Sequence, residues 1–173
     1  IKRYKPQAKC VSNSQVLFED YSFEKARIVL KEMVELGSLR LIDENLSTNV
    51  VKLYVGYSKN EIPATGGTER VNDYTNVYSE LVSAFLRLYD KTTKRNVGIR
   101  RIGISFENVV ETDYVQLNLF KDQEKIDKER KLELMISEIK REMGKNAILR
   151  GMNFEQGSTT IIRNKMVGGH NAE

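Results

Sequence analysis

Two groups of residues in this 173-residue chain have the types and spacing to do chemistry. The first is the run Val115-Gln116-Leu117-Asn118-Leu119-Phe120, set between the acidic Glu111-Thr112-Asp113 and the charged Lys121-Asp122-Gln123-Glu124-Lys125. Leu117, Leu119 and Phe120 are large apolar anchors on a strongly solvated connector, and Gln116 adds an amide. Anchors of this kind fill pockets on a partner protein while an amide fixes register. The same side chains could instead pin the connector to the chain's own core. The second group combines cations with small hydroxyl and amide donors: Lys9, Ser12, Asn13, Ser14, Lys52, Tyr57, Ser58, Lys59, Thr68, Arg70, Arg100 and Arg101. Phosphate oxygens ask for that mix. Lys and Arg release counterions, and Ser, Thr and Asn donate hydrogen bonds that fix register. An ordinary solvated face is the competing reading. Few aromatic residues are interleaved with these positions, which argues against binding by base stacking.

No catalytic constellation is visible. Gly66-Gly67-Thr68 lacks the lysine spacing of a phosphate loop. Asp20, Asp43, Asp73 and Asp90 are expected at caps and turns. His170 has no acidic or cysteine neighbour and reads as solvated; Cys10 reads as a small buried residue in a strand. One cysteine and one histidine allow neither an internal disulfide nor a Cys/His zinc site, and such usage fits a reducing cytosol. No cofactor is expected. No run is long and apolar enough to span a membrane. The net charge of +4 is a mild bias toward anionic partners. The start, Ile1-Lys2-Arg3-Tyr4-Lys5-Pro6, does not read as a signal peptide, and a chain opening on Ile reads as part of a longer protein.

The elements that must position these residues follow from periodicity. Residues 1–8 read as a basic linker and 9–18 as a strand. Ser22 can cap a helix whose stripe is Ala26, Leu30, Met33, Gly37 and Leu41. Gly37 would weaken that helix, so close packing against a sheet is its expected reason. Residues 50–58 form a second strand, Asn60 to Gly67 a turn-rich loop, and 68–73 a third strand. Thr75 can cap a second helix with Val77, Leu81, Ala84 or Phe85, and Leu88 inward. Residues 98–106 are a fourth strand with Ile102, Ile104 and Phe106 on one face. A third helix is expected over 123–143, with Leu132, Met135 or Ile136, Ile139 and Met143 as its apolar stripe and Gly144 as its end. The tail shows little periodicity, and Met166 to Asn171 is expected to be partly disordered. The order predicts an α+β fold: a four-stranded sheet with two helices on one face, the other face open, then a C-terminal helix and tail.

Several segments carry a family resemblance. KCVSNSQVL resembles the opening strand of the little-finger domain of Y-family lesion-bypass DNA polymerases, GGTERVND its glycine turn and following strand, and IRRIGISFENV its last strand. QLNLF is similar to the family's sliding-clamp-binding pentapeptide, and AILRGMNF with NKMVGGHNAE resembles a UmuC/MucB/DinB-like subgroup of Gram-positive bacteria. The resemblance implies a little finger over 9–110, a clamp-binding connector over 111–122, and a C-terminal helix and tail over 123–173. It implies that the open face, through Lys9, Ser12, Asn13, Ser14, Ser58, Lys59, Thr68, Arg70, Arg100 and Arg101, holds the template-primer phosphate backbone. It also implies that Gln116, Leu117, Leu119 and Phe120 bind the bacterial sliding clamp. The catalytic palm and its magnesium ions would belong to another part of an error-prone, cytoplasmic, nucleoid-associated SOS-response polymerase, so this chain alone is not expected to be an enzyme. Asn13 stands where the family carries a cation, and Glu69 adds negative charge near Arg70. The alternative function is a regulatory protein-interaction module without DNA binding.

Overall fold

The computed structural model describes residues 10–58, 62–114, 122–167 and 170–171. Strand β1 (Cys10–Tyr21) leads into helix α1 (Phe23–Asp43), then strands β2 (Leu46–Tyr57) and β3 (Thr65–Thr75), helix α2 (Tyr78–Thr92) and strand β4 (Ile99–Glu107). The antiparallel sheet has the order β1-β4-β2-β3. This is the expected α+β arrangement, with one addition. A two-residue strand β5 (Val110–Glu111) pairs with the start of β2, making five strands.

Alternation builds the core. Val51, Leu53 and Val55 of β2 and Ile102, Ile104 and Phe106 of β4 point to one face and are buried. Helices α1 and α2 cover that face with Ala26, Leu30, Met33, Leu81, Phe85 and Leu88. Phe85 meets Phe106 edge-on at 5.5 Å. Gly37 is explained by the sheet: a Cβ there would sit inside the Phe106 ring. Ser22 caps α1 by accepting from Lys25 N, at 3.4 Å. Thr75 acts differently from expectation. It ends β3, its hydroxyl accepts from Val77 N, and Val77 is the N-cap of α2. The glycines expected in a turn lie within β3. Gly66 is obligatory, since its φ is +129° and a Cβ would strike the Leu53 carbonyl.

Helix α3 (Gln123–Met143) has the expected bounds and ends at Gly144, but its innermost residues are polar; of the expected stripe, Ile136 and Ile139 are half-buried. Leu132, Met135 and Met143 are exposed. Inward are Glu129, which accepts from Ser79 N and Oγ, Arg130, which donates to Asn76 Oδ1, and Glu133, which accepts from Tyr78 N. Ser137 Oγ donates to Asp43, and Lys140 pairs with Glu35 of α1 at 3.5 Å. Hydrogen-bonding partners on α1 and α2 outweigh the pull of the apolar stripe.

The tail is ordered further than its composition suggests. A 3-10 turn (Gly151–Phe154), a short helix α4 (Thr160–Arg163) and the paired strands β6 (Met166–Val167) and β7 (His170–Asn171) follow α3. The tail is fastened on Glu32 of α1, which is buried and accepts from Asn153 Nδ2 (2.9 Å), Ser158 Oγ (2.5 Å) and Thr159 N (2.8 Å). Thr159 Oγ1 also accepts from Gln15 Nε2 of β1. Arg150 lies over the Tyr78 ring, 4.2 Å from its centroid, and reaches both Glu35 and Glu133.

Candidate nucleic-acid interface

The face away from the helices is built in rows, because directly paired residues share a side of the sheet. One row runs Arg70, Val50, Glu107, Cys10 and the next Thr68, Lys52, Ser105, Ser12. A third is Gly66, Tyr54, Gly103, Ser14, and a fourth is Gly56, Arg101, Val16. Of the expected phosphate-binding residues, Ser12, Ser14, Lys52, Thr68, Arg70 and Arg101 therefore share this face. Ser12, Ser14, Lys52 and Arg101, with Asn13, line a shallow depression of about 850 Å³ around Tyr54 and Gly103; Thr68 and Arg70 lie outside its lining.

Among the described residues Lys52, Arg70 and Arg101 pair with no carboxylate, whereas Arg27 and Arg87 on the helix side are paired with Asp90 and Glu69. Ser12, Ser14 and Thr68 make no side-chain hydrogen bond there either. Among the residues paired in the four rows the carboxylate is Glu107, which accepts from Ser105 at 2.8 Å. Three free cations and three free hydroxyls thus stand on strands about 4.8 Å apart, ready to donate to a chain of anions.

Other positions are corrected by the register. Asn13 pairs with Ile104, a core residue, so alternation turns its side chain away from the open face, yet at the sheet edge the residue still lines the depression. Tyr57 is buried in the core, not on the open face. Its hydroxyl shares a 2.6 Å hydrogen bond with Thr65 and accepts from Lys94 N. Arg100 sits where the register shifts and reaches Asp20 at 3.6 Å. Ser58 lies beyond β2, its N–H donating to Gly98 O. Glu69 does not oppose Arg70. It turns to the helix side and pairs with Arg87 at 2.6 Å. Cys10 is exposed, not buried. Asp20, Asp73 and Asp90 lie within elements rather than at turns; Asp43 closes α1, and Asp90 pairs with Arg27.

Tyr54, Ser105 and Glu107 are the open-face residues that sequence reasoning missed. The signal was present: Val51, Leu53 and Val55 alternate with Lys52, Tyr54 and Gly56. Lys9 and Lys59 lie outside the described residues, as do 115–121 with Gln116, Leu117, Leu119 and Phe120. Both flanks of that connector are held. Thr112 N donates to Asn45 O, Asn45 Nδ2 donates to Asp113, and Asp122 caps α3 by accepting from Lys125 N. Among the described residues no group of His, Cys, Asp and Glu could hold a metal ion, and no helix is long and apolar enough to cross a membrane.

Residues 8–119 match the impB/mucB/samB family C-terminal domain. The UvrX protein of Bacillus subtilis (strain 168), named for UV-damage repair, is 30% identical over 162 residues, covering 91% of this chain. The chain spans 38% of that relative's length. A chain in the solved complex of the beta-clamp processivity factor and little finger domain of PolIV aligns at 14% identity with a TM-score of 0.45. The alignment covers 65% of this chain and 99% of that one.

Proposed function

The chain belongs to the impB/mucB/samB family through its C-terminal domain, and from that premise we propose that it is a little-finger domain that holds template-primer DNA and tethers an error-prone translesion polymerase to its sliding clamp. The observation that carries the DNA half is the open face, where Lys52, Arg70 and Arg101 stand unpaired among free hydroxyls. That arrangement grips a phosphate backbone without reading bases. The clamp half rests on Gln116, Leu117, Leu119 and Phe120, in the order of a clamp-binding pentapeptide and between anchored flanks. In this division residues 1–8 are the linker, 9–110 bind DNA, 111–122 bind the clamp, and 123–173 buttress α1. Polymerisation and its magnesium ions belong to the rest of the parent protein, acting in the bacterial cytoplasm at the nucleoid.

The test has two arms. The chain should bind duplex DNA with a log-log salt slope of about −0.9 per phosphate contacted. It should also bind the sliding clamp of its own species, with Leu119→Ala/Phe120→Ala folded but no longer bound. Exposed Leu132, Met135 and Met143 on α3 favour a second reading, a protein-interaction module. That reading gains if the chain ignores duplex DNA at every salt concentration.

A further inference from the structure

Tyr54 is the feature of the open face that phosphate binding leaves unexplained. Its direct neighbours across β3 and β4 are Gly66 and Gly103, so neither side carries a competing side chain. Along its own strand, a Cβ on Gly56 would lie 3.3 Å from Tyr54 Cε1 and 3.4 Å from the hydroxyl. The ring is therefore laid along β2 toward Gly56, in a clearing kept by three glycines. The residue is 45% exposed, and its hydroxyl has no hydrogen-bond partner among the described residues. Arg101 stands directly opposite Gly56, one diagonal step of about 7–8 Å from Tyr54. Beyond it Val16, the partner of Arg101, is also exposed on this face.

A duplex backbone has no use for such a ring, because its bases are already stacked on one another. An unpaired base has a free π-face, and base-aromatic stacking is favourable for any base. A cation one step away can hold the phosphate of the same strand. Few aromatic residues lie along these strands, yet the one that the four rows of the open face present is Tyr54, and we propose that it is a stacking platform for an unpaired nucleobase. The open face then holds single-stranded template next to the duplex as well as the duplex backbone. The inference rests on the DNA-binding reading above and extends its substrate to the template overhang.

The experiment compares this chain on three fluorescently labelled DNAs by anisotropy. One is a blunt duplex, one the same duplex with a 5′ single-stranded thymidine overhang, and one the same overhang built from abasic residues. The wild type should bind the thymidine overhang about tenfold tighter than the abasic one, within the range of stacking one base on an aromatic ring. Tyr54→Leu should erase that difference, and Tyr54→Phe, which keeps the ring, should retain it. Blunt-duplex affinity should be equal in all three proteins. Equal binding of thymidine and abasic overhangs by the wild type, with duplex binding intact, overturns the stacking role and leaves the backbone role standing. A uniform loss on all three DNAs in Tyr54→Leu also overturns it, because the ring would then be only part of the floor. Failure of the folded wild type to bind any of the DNAs overturns the DNA-binding reading itself.

Discussion

Glu32 is a buried acid held by hydrogen bonds, with no cation paired to it among the described residues. The tail supplies them through Asn153, Ser158, Thr159 and Thr160 N. Hydrogen bonds to a charged group are each worth about 1.5–3 kcal/mol. Glu32→Ala orphans those donors and should cost about 3 kcal/mol in urea unfolding, with new protease cuts in 144–165. Glu133 is buried as well, but its environment favours the neutral acid. Burial, then the nearby Glu129, raise its pKa to about 7, against the opposing pull of Arg150 and the hydrogen bond from Tyr78 N; Glu35 adds a smaller upward push. A folded-state value above the unfolded value of 4.5 means that the native state holds the proton more tightly. The stabilising share of Glu133 is thus complete below about pH 4.5 and is lost as pH rises to about 7. Thermal melts of wild type and Glu133→Gln should diverge over that window, by about 2 kcal/mol at its upper end, with the variant less sensitive to pH.

At the scale of elements, close approach between α1 and the sheet hangs on one missing methyl. Gly37→Ala improves helix propensity by about 1 kcal/mol yet drives a carbon into the Phe106 ring, which Phe85 and the helices hold in place. Overpacking of this kind costs about 1–3 kcal/mol. The variant should therefore be no more stable than wild type and up to about 2 kcal/mol less so, as a denaturation midpoint will report. Helix α3 obeys the same logic of partners. Glu129, Arg130, Glu133, Ser137 and Lys140 each find a complementary group on or beside α1 and α2. Leu132, Met135 and Met143 find none there and are left to solvent.

At the scale of the whole molecule, Lys52, Arg70 and Arg101 gather on the open face with no carboxylate partner among the described residues, while Arg87 and Arg27 on the helix side are tied to Glu69 and Asp90. Charge reversal would blur this contrast, so neutral truncation is the sharper probe. Lys52→Ala and Arg101→Ala should each flatten the log-log salt slope of duplex binding by about 0.9. Arg87→Ala, which removes a paired cation from the opposite side, should leave the slope unchanged. Fluorescence titrations between low and moderate salt distinguish these outcomes.

Much of this protein was legible in one dimension. The order β-α-β-β-α-β, the bounds of α3, the inward set Ile102, Ile104 and Phe106, and the reason for Gly37 all follow from periodicity and steric rules that act within a few residues. So does the outward tyrosine: Tyr57 continues the buried set Val51, Leu53 and Val55, and Tyr54 falls between them. Tertiary structure alone decided that α3 docks by polar hydrogen bonds, because Glu133 meets Tyr78 N across 55 residues and Ser137 meets Asp43 across 94. Glu32 became the anchor of the tail through partners more than 120 residues away. Local patterns tell a residue which faces exist. Pairing between distant segments, and the hydrogen-bond partners it brings, decide which face is buried.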